Sequence, residues 1–103
     1  IQYISGNFEF LRDFIRSNLP MLNVLPMEAT YLCWIDCREL GLNDGRLQEL
    51  ILEDARIFVD HGPIFGPEGS GFFRLNLACP RKIVEKALNR LKNSIDQLSD
   101  QNT

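Results

Sequence analysis

The sequence predicts an α+β domain, a two-layer sandwich in which helices cover one face of a small, mostly antiparallel sheet. Three observations support this fold class. The 103 residues are enough for one hydrophobic core. The chain shows helical and strand-like patterns in the order helix, strand, helix, strand, strand, helix. Each helix carries an apolar stripe, and such stripes are stable when they share a sheet face to cover.

The first half of the chain predicts two helices and one strand. A glycine interrupts the chain just before Asn7, a plausible N-cap, so the first helix is expected at 7–19. Residues 20–29 contain two prolines and indicate an extended connection. Residues 30–36 are rich in β-branched and aromatic side chains and indicate a strand. A turn of Gly, Asn and Asp residues follows, and an apolar stripe then predicts a helix at 45–54.

The second half predicts two strands and a long helix. Residues 56–60 indicate a short strand, and the glycines and prolines of 62–71 indicate a loop between two strands. The last strand is expected at 72–78, where the pattern is most apolar. A proline suits the first turn of a helix because its missing N–H has no partner there, and the final helix is expected at 80–98.

The last strand carries a cation in its middle. Because side chains alternate along a strand, Phe73, Leu75 and Leu77 share one face, while Arg74 and Asn76 lie on the other. A guanidinium is costly to bury without an anionic partner. Either a carboxylate of the protein pairs with it or it binds an anionic ligand, and the spacing leaves both open. We expect this face to be the one that the helices do not fully cover.

Composition excludes several classes of function. A net charge of −3 gives no reason to expect nucleic acid or an anionic membrane as partner, and no apolar run is long enough to span a bilayer. The three cysteines have neither zinc nor redox spacing and predict reduced, buried thiols in a cytoplasmic protein. The only histidine, His61, cannot form a metal site with its neighbours. We therefore predict no metal site.

Three blocks of sequence carry a resemblance to a known family. They are EATYLCWIDCRELGL at 28–42, GPIFGPEGSG at 62–71 and GFFRLNLACPR at 71–81. In this order and spacing they resemble the C-terminal part of pyridoxal-phosphate enzymes of the aminotransferase superfamily, in particular the MalY/PatB-type cystathionine β-lyases (C–S lyases). The resemblance extends over nearly the whole chain, from about residue 3 to residue 91.

The resemblance implies roles for three side chains. In the family, the arginine of the third block holds the α-carboxylate of the amino-acid substrate, and Arg74 stands at that position. Trp34 and Asn76 are candidate pocket-wall residues, with core packing as the alternative for Trp34. The family carries its Schiff-base lysine and phosphate-binding residues in an upstream large domain, and no lysine of this chain matches that motif. We therefore expect no catalytic and no cofactor-binding residue within the chain.

The resemblance also implies an organisation and a function. Residues 1–5 are expected to end an interdomain segment, 6–98 to form the small C-terminal domain, and 99–103 to be a flexible tail. The implied reaction is α,β-elimination from a sulfur amino acid such as cystathionine or cysteine, giving a thiol, pyruvate and ammonia. Pyridoxal phosphate would be bound by the upstream domain of a homodimer, and the chain alone would not be catalytic. An aminotransferase domain and a stand-alone ligand-binding or interaction domain are the alternatives.

Overall fold

The computed structural model describes residues 2–26, 32–54, 64–67 and 70–101, and it has the α+β fold expected from the sequence. Along the chain it contains three α-helices and four strands: α1 (Gln2–Asn18), β1 (Asn23–Val24), β2 (Leu32–Asp36), α2 (Asp44–Glu49), β3 (Ile64–Pro67), β4 (Phe72–Asn76) and α3 (Arg81–Gln101). A 3₁₀ turn (Arg38–Leu40) follows β2, and a π-helical stretch (Leu50–Asp54) continues α2.

The strands form one antiparallel sheet in the order β1-β2-β4-β3. The register of the two central strands sets Cys33 opposite Leu75 and Ile35 opposite Phe73. These four side chains are at most 4% exposed, so they form the sheet side of the core. The residues between them on each strand are half-buried, which is the alternation expected of a sheet with one covered face.

The helices supply the other side of this core. Their apolar stripes place Leu11, Ile15, Leu47, Leu88 and Leu91 at 2% exposure or less, in one cluster with the buried side chains of the sheet. The helices therefore pack on one face, as predicted. None of the described helices is both long and apolar enough to cross a membrane.

The first helix starts earlier than predicted, and Asn7 is not its N-cap. The helix begins at Gln2 and runs through Asn7, which is 1% exposed. The side-chain amide of Asn7 donates to the backbone carbonyls of Leu77 (3.0 Å) and Cys79 (2.7 Å). The side chain of Asn7, which the local sequence pattern predicted to cap the helix, therefore makes hydrogen bonds to residues that are distant in the sequence.

A close approach explains the glycine inside this helix. A Cβ added at Gly6 would lie 2.6 Å from a terminal nitrogen of Arg81. The Nε atom of Arg81 donates to Asn7 Oδ1 at 2.7 Å. The absence of a side chain at Gly6 thus leaves room for the arginine that reaches Asn7 from the start of α3.

The two outer strands were not predicted. Strand β1 lies in the segment 20–29 assigned as a connection, and β3 lies in the segment 62–71 assigned as a loop. The register of β3 against β4 shifts along its length, as is common for a short edge strand with glycine and proline. The strand predicted at 56–60 lies outside the described residues, as do residues 30 and 31 of the strand predicted at 30–36.

The remaining boundaries differ by a few residues. Strand β4 ends two residues before the predicted position 78 because Asn76 Oδ1 accepts a hydrogen bond from the backbone N–H of Ala78 (2.9 Å). Asn43 caps α2 by accepting from the N–H of Arg46 (2.8 Å), which confirms a helix at this place. Helix α3 continues through 99–101, where a flexible tail was predicted.

Candidate functional site

The open face of the sheet is the surface opposite the helices. It consists of the half-buried residues of the two central strands: Leu32, Trp34, Asp36, Phe72, Arg74 and Asn76. Because the helices cover the other face, these side chains are only partly shielded by the described part of the chain. The location matches the expectation that the face bearing Arg74 is not fully covered.

Arg74 and Trp34 lie directly opposite each other on neighbouring strands. The guanidinium carbon of Arg74 is 5.5 Å from the centroid of the Trp34 ring. This separation is within the about 6 Å over which a cation and an aromatic face attract each other. Trp34 is half-buried on the open face and is not among the buried residues of the core, and its role as a pocket wall stays a prediction.

A second aromatic ring contacts Trp34 from the adjacent strand. The rings of Trp34 and Phe72 meet edge to face, with centroids 6.5 Å apart and an interplanar angle of 81°. This arrangement suits the charge distribution of aromatic rings, which are negative on the face and positive at the edge. Phe72 in turn contacts Arg38, whose guanidinium carbon lies 5.1 Å from the centroid of the Phe72 ring. Sequence reasoning missed Phe72 and Arg38, since their proximity depends on the strand register.

Asp36 is engaged by Arg38. Its Oδ1 and Oδ2 atoms accept from the guanidinium Nε (3.0 Å) and Nη2 (2.9 Å), and Oδ1 also accepts from the backbone N–H of Arg38 (3.0 Å). These hydrogen bonds hold the pKa of the Asp36 carboxyl below its usual value. Both carboxylate oxygens of Asp36, at the end of β2, thus bind the guanidinium of Arg38 in the turn that follows.

Asn76 lies at the end of β4, on the same face as Arg74 but with a structural contact of its own. Its carboxamide oxygen accepts from the N–H of Ala78 and ends the strand. Two positions away on the same face, Arg74 lies opposite Trp34. The structure therefore brings the three candidate residues onto one surface, with Trp34 and Arg74 in contact.

The turn before β4 fixes the position of Arg38. Gly71 has a φ of 83°, its N–H donates to Asp44 Oδ1 (3.1 Å), and its carbonyl accepts from the N–H of Cys37 (2.7 Å). A Cβ on Gly71 would lie 2.5 Å from Cγ of Arg38. Glycine is thus required here both by the backbone conformation and by the close approach of Arg38.

The cysteines are structural. Cys33, Cys37 and Cys79 are free thiols with at most 5% exposure, which confirms the prediction of reduced, buried side chains. Burial raises the pKa of Cys33 and of Cys37 to about 12 and also raises that of Cys79. At neutral pH all three are protonated and therefore weak nucleophiles. His61 lies outside the described residues, among which no cluster of three metal-ligating side chains occurs.

The lysines of the chain lie on α3, in the helical layer. Lys82 and Lys86 are exposed, and the ammonium of Lys92 donates to Asp96 at 2.7 Å. A cofactor linked to one of these amines would lie on the helical side of the molecule, away from the open face. The described residues therefore do not fit a pyridoxal-phosphate site next to Arg74.

No protein-family model matches the chain, but individual proteins do. MalY of Escherichia coli K12 is 37% identical over 93 residues, which are 90% of this chain and 24% of MalY. Cystathionine β-lyase PatB of Bacillus subtilis 168 is 33% identical over 95 residues, which are 92% of this chain and 24% of PatB. The chain thus spans about a quarter of the length of these relatives.

Solved structures agree with these matches. Cystalysin from Treponema denticola, whose crystal structure contains pyridoxal 5′-phosphate, is similar over 94% of this chain and 25% of its own. The TM-score is 0.80 and the identity 37%. A pyridoxal-phosphate-bound structure from Clostridium difficile 630, described as an aminotransferase, matches equally well: the TM-score is 0.77 and the identity 41%, over 91% of this chain and 24% of its own. The aspartate aminotransferase of Pyrococcus horikoshii is 25% identical over 79 residues, which are 77% of this chain and 20% of that enzyme.

Proposed function

Since the chain belongs to the MalY/PatB-type branch of the pyridoxal-phosphate-dependent aminotransferase superfamily, we propose that it is the substrate-carboxylate-binding C-terminal domain of a cystathionine β-lyase. The observation that carries the proposal is the position of Arg74. Arg74 lies half-buried on the sheet face that the helices leave open, and the resemblance of its sequence block implies that it is the carboxylate-binding arginine of the family.

In this proposal Arg74 binds and orients the substrate. A guanidinium presents parallel N–H donors that match the two oxygens of an α-carboxylate. Holding the carboxylate fixes the direction of the Cα–H bond, so that bond breaking starts from a productive geometry. The carboxylate of Asp36, on the same face, is held by Arg38, which donates to both of its oxygens.

The remainder of the enzyme supplies the cofactor site. Pyridoxal phosphate, when bound, acts as the electron sink for elimination of the thiol from cystathionine or a related sulfur amino acid. The lysines of this chain are on the helical side, which supports a Schiff-base lysine in an upstream large domain. We expect the full-length enzyme to be a cytoplasmic homodimer, an expectation that comes from the family resemblance.

An aminotransferase is the second candidate. The match to the aspartate aminotransferase of Pyrococcus horikoshii favours it, and an arginine that binds an α-carboxylate serves either reaction. The products separate the two candidates. A lyase releases thiol, pyruvate and ammonia from cystathionine, whereas an aminotransferase transfers the amino group to an added 2-oxo acid.

Substitution of Arg74 in the full-length enzyme tests the proposed role. Loss of one member of a desolvated charge pair costs about 2–5 kcal/mol, so Arg74→Ala should lower kcat/KM about 30- to several thousand-fold. Arg74→Lys should recover only part of the loss, because an ammonium lacks the paired donors. Steady-state kinetics with cystathionine, with the absorbance of the bound cofactor as a check of the intact site, measures both.

Arg12→Ala is the matched control. Arg12 lies on α1, where its guanidinium carbon is 5.7 Å from the centroid of the Phe8 ring. Helix α1 packs on the covered side of the sheet, so the sheet separates the open face from Arg12. Its removal should leave kcat/KM within about twofold of wild type. If Arg74→Ala unfolds the enzyme or changes kcat/KM less than about threefold, Arg74 is structural and the proposal fails.

A further inference from the structure

We propose that Trp34 is a positioning residue for Arg74, whose guanidinium it holds in the orientation that binds the substrate carboxylate. This inference rests on the proposed function of Arg74. The observation that supports it is the contact between the two strands: Trp34 and Arg74 are register partners, and the guanidinium carbon of Arg74 lies 5.5 Å from the centroid of the Trp34 indole.

An aromatic face is suited to restrain an arginine that binds a ligand. The long side chain of arginine has many rotamers, and fixing one of them costs conformational entropy when the ligand binds. The face of an indole attracts the positive charge of the guanidinium, and this contact uses none of its N–H donors. A ring at this position therefore reduces the freedom of Arg74 without taking part in carboxylate binding.

The indole of Trp34 also contacts a second aromatic ring of the open face. The ring of Phe72 meets it edge to face at 6.5 Å, and the guanidinium carbon of Arg38 lies 5.1 Å from the Phe72 centroid. Asp36 holds Arg38 by two side-chain hydrogen bonds of 3.0 and 2.9 Å. Three successive contacts thus connect the ion pair at the end of β2 to Arg74: from Arg38 to Phe72, from Phe72 to Trp34 and from Trp34 to Arg74.

A direct contact between Trp34 and the substrate would be a different role. In that case the indole would contribute to binding whether or not Arg74 is present. If Trp34 acts through Arg74, its contribution disappears when Arg74 is removed. A double-mutant cycle between the two residues separates the two roles, since it measures their coupling.

The experiment compares kcat/KM of the full-length enzyme with cystathionine for Trp34→Leu, Arg74→Ala and the double variant. Given the strength of a cation–π contact, Trp34→Leu should lower kcat/KM roughly 3- to 30-fold. In the Arg74→Ala background the same substitution should change kcat/KM by less than about twofold. Trp34→Phe keeps an aromatic face and should recover much of the loss, whereas a residue with only a packing role would not require a ring.

Two controls make the outcome decisive. Trp34→Met fills the site with a flexible apolar side chain and replaces Trp34→Leu in the cycle if the leucine variant does not fold. Phe8→Leu removes the ring of the Arg12 pair on α1 and should leave kcat/KM within about twofold of wild type.

Failure of the inference and failure of the proposed function give different results. If Arg74→Ala has a large effect but the effect of Trp34→Leu is equally large in both backgrounds, Trp34 contacts the substrate directly and the inference is overturned. The same holds if Trp34→Leu and Trp34→Met change kcat/KM by less than about twofold. If Arg74→Ala itself has no effect, it is the proposed function that fails.

Discussion

Asn7 connects three parts of the molecule through one buried amide. Its two donated hydrogen bonds reach the carbonyls of Leu77 and Cys79, in the segment between β4 and α3, and its oxygen accepts from Arg81 at 2.7 Å. The donors and the acceptor of the amide are all used, as a buried polar side chain requires. These hydrogen bonds of a single residue hold the segment that follows β4, the strand that carries Arg74, against the first helix.

Replacing Asn7 should therefore destabilise the domain. Asn7→Ala leaves two buried carbonyls and a guanidinium N–H without this partner, and we expect the free energy of unfolding to fall by about 2–4 kcal/mol. Urea denaturation of the purified chain, followed by circular dichroism, measures the change. Asn18→Ala is the control, because that amide is exposed at the end of the same helix and donates to the carbonyl of Phe14 (3.0 Å), a local contact within the helix. Equal losses in both variants would contradict the role of Asn7.

The sequence revealed some of these residues and concealed others. Arg74 could be identified because a cation within an apolar, alternating strand is conspicuous in the sequence. Its contact with Trp34 could not, because the register of two strands separated by some forty positions is set by packing rather than by local pattern. Asn7 was assigned to a cap because local capping patterns ignore partners that lie 70 or more positions away.

The helices and strands that could be predicted are those with a strong hydrophobic pattern in the sequence. Strands β2 and β4 alternate clearly between buried and half-buried residues and were placed within a few positions. Strands β1 and β3 are short edge strands of two and four residues, and β3 ends in glycine and proline, so their sequences are too short and too interrupted to show a strand pattern. They are strands because the central pair offers them hydrogen-bonding partners. Helix α3 was found because its apolar stripe is long and regular.

The turn that leads into β4 gives a prediction at this scale. Gly71 and Gly41 both have positive φ, 83° and 70°, but a Cβ at Gly71 would lie 2.5 Å from Arg38, whereas nothing lies within 4 Å of one at Gly41. Gly41→Ala should thus cost only the backbone strain, about 1–2 kcal/mol. Gly71→Ala should cost about 1–3 kcal/mol more, because Arg38 must move.

Urea denaturation of both variants measures this difference, and Gly41→Ala serves as the control for backbone strain. A larger loss for Gly71→Ala would show that the close packing of Arg38 on the turn stabilises the fold. Equal losses for the two alanine variants would show that the side chain of Arg38 moves away at no cost. The contact between Arg38 and Phe72 would then contribute little to the arrangement of the open face.

In the part of the chain that the structure describes, the buried residues form one core, and the helices leave one face of the sheet uncovered. The helices and the buried sides of β2 and β4 form a single cluster, which explains why a chain of this size can fold around it. The open face bears two aromatic rings and Arg74 in half-buried positions. A surface with this mixture of apolar and charged groups is typical of a binding site or a domain contact.

This arrangement predicts that the chain folds by itself but does not catalyse the reaction by itself. The single core should give one cooperative unfolding transition. The lysines lie on the helical side, so none of them adjoins Arg74 to hold pyridoxal phosphate. Mixing the folded chain with pyridoxal phosphate and cystathionine should therefore yield no more pyruvate than the free cofactor does. A lactate-dehydrogenase-coupled assay measures the pyruvate. A cooperative unfolding transition of the same sample shows that the chain is folded, so that a lack of turnover is not caused by a lack of folding. Turnover above the cofactor control that a single substitution in this chain abolishes would show instead that the chain holds a complete active site.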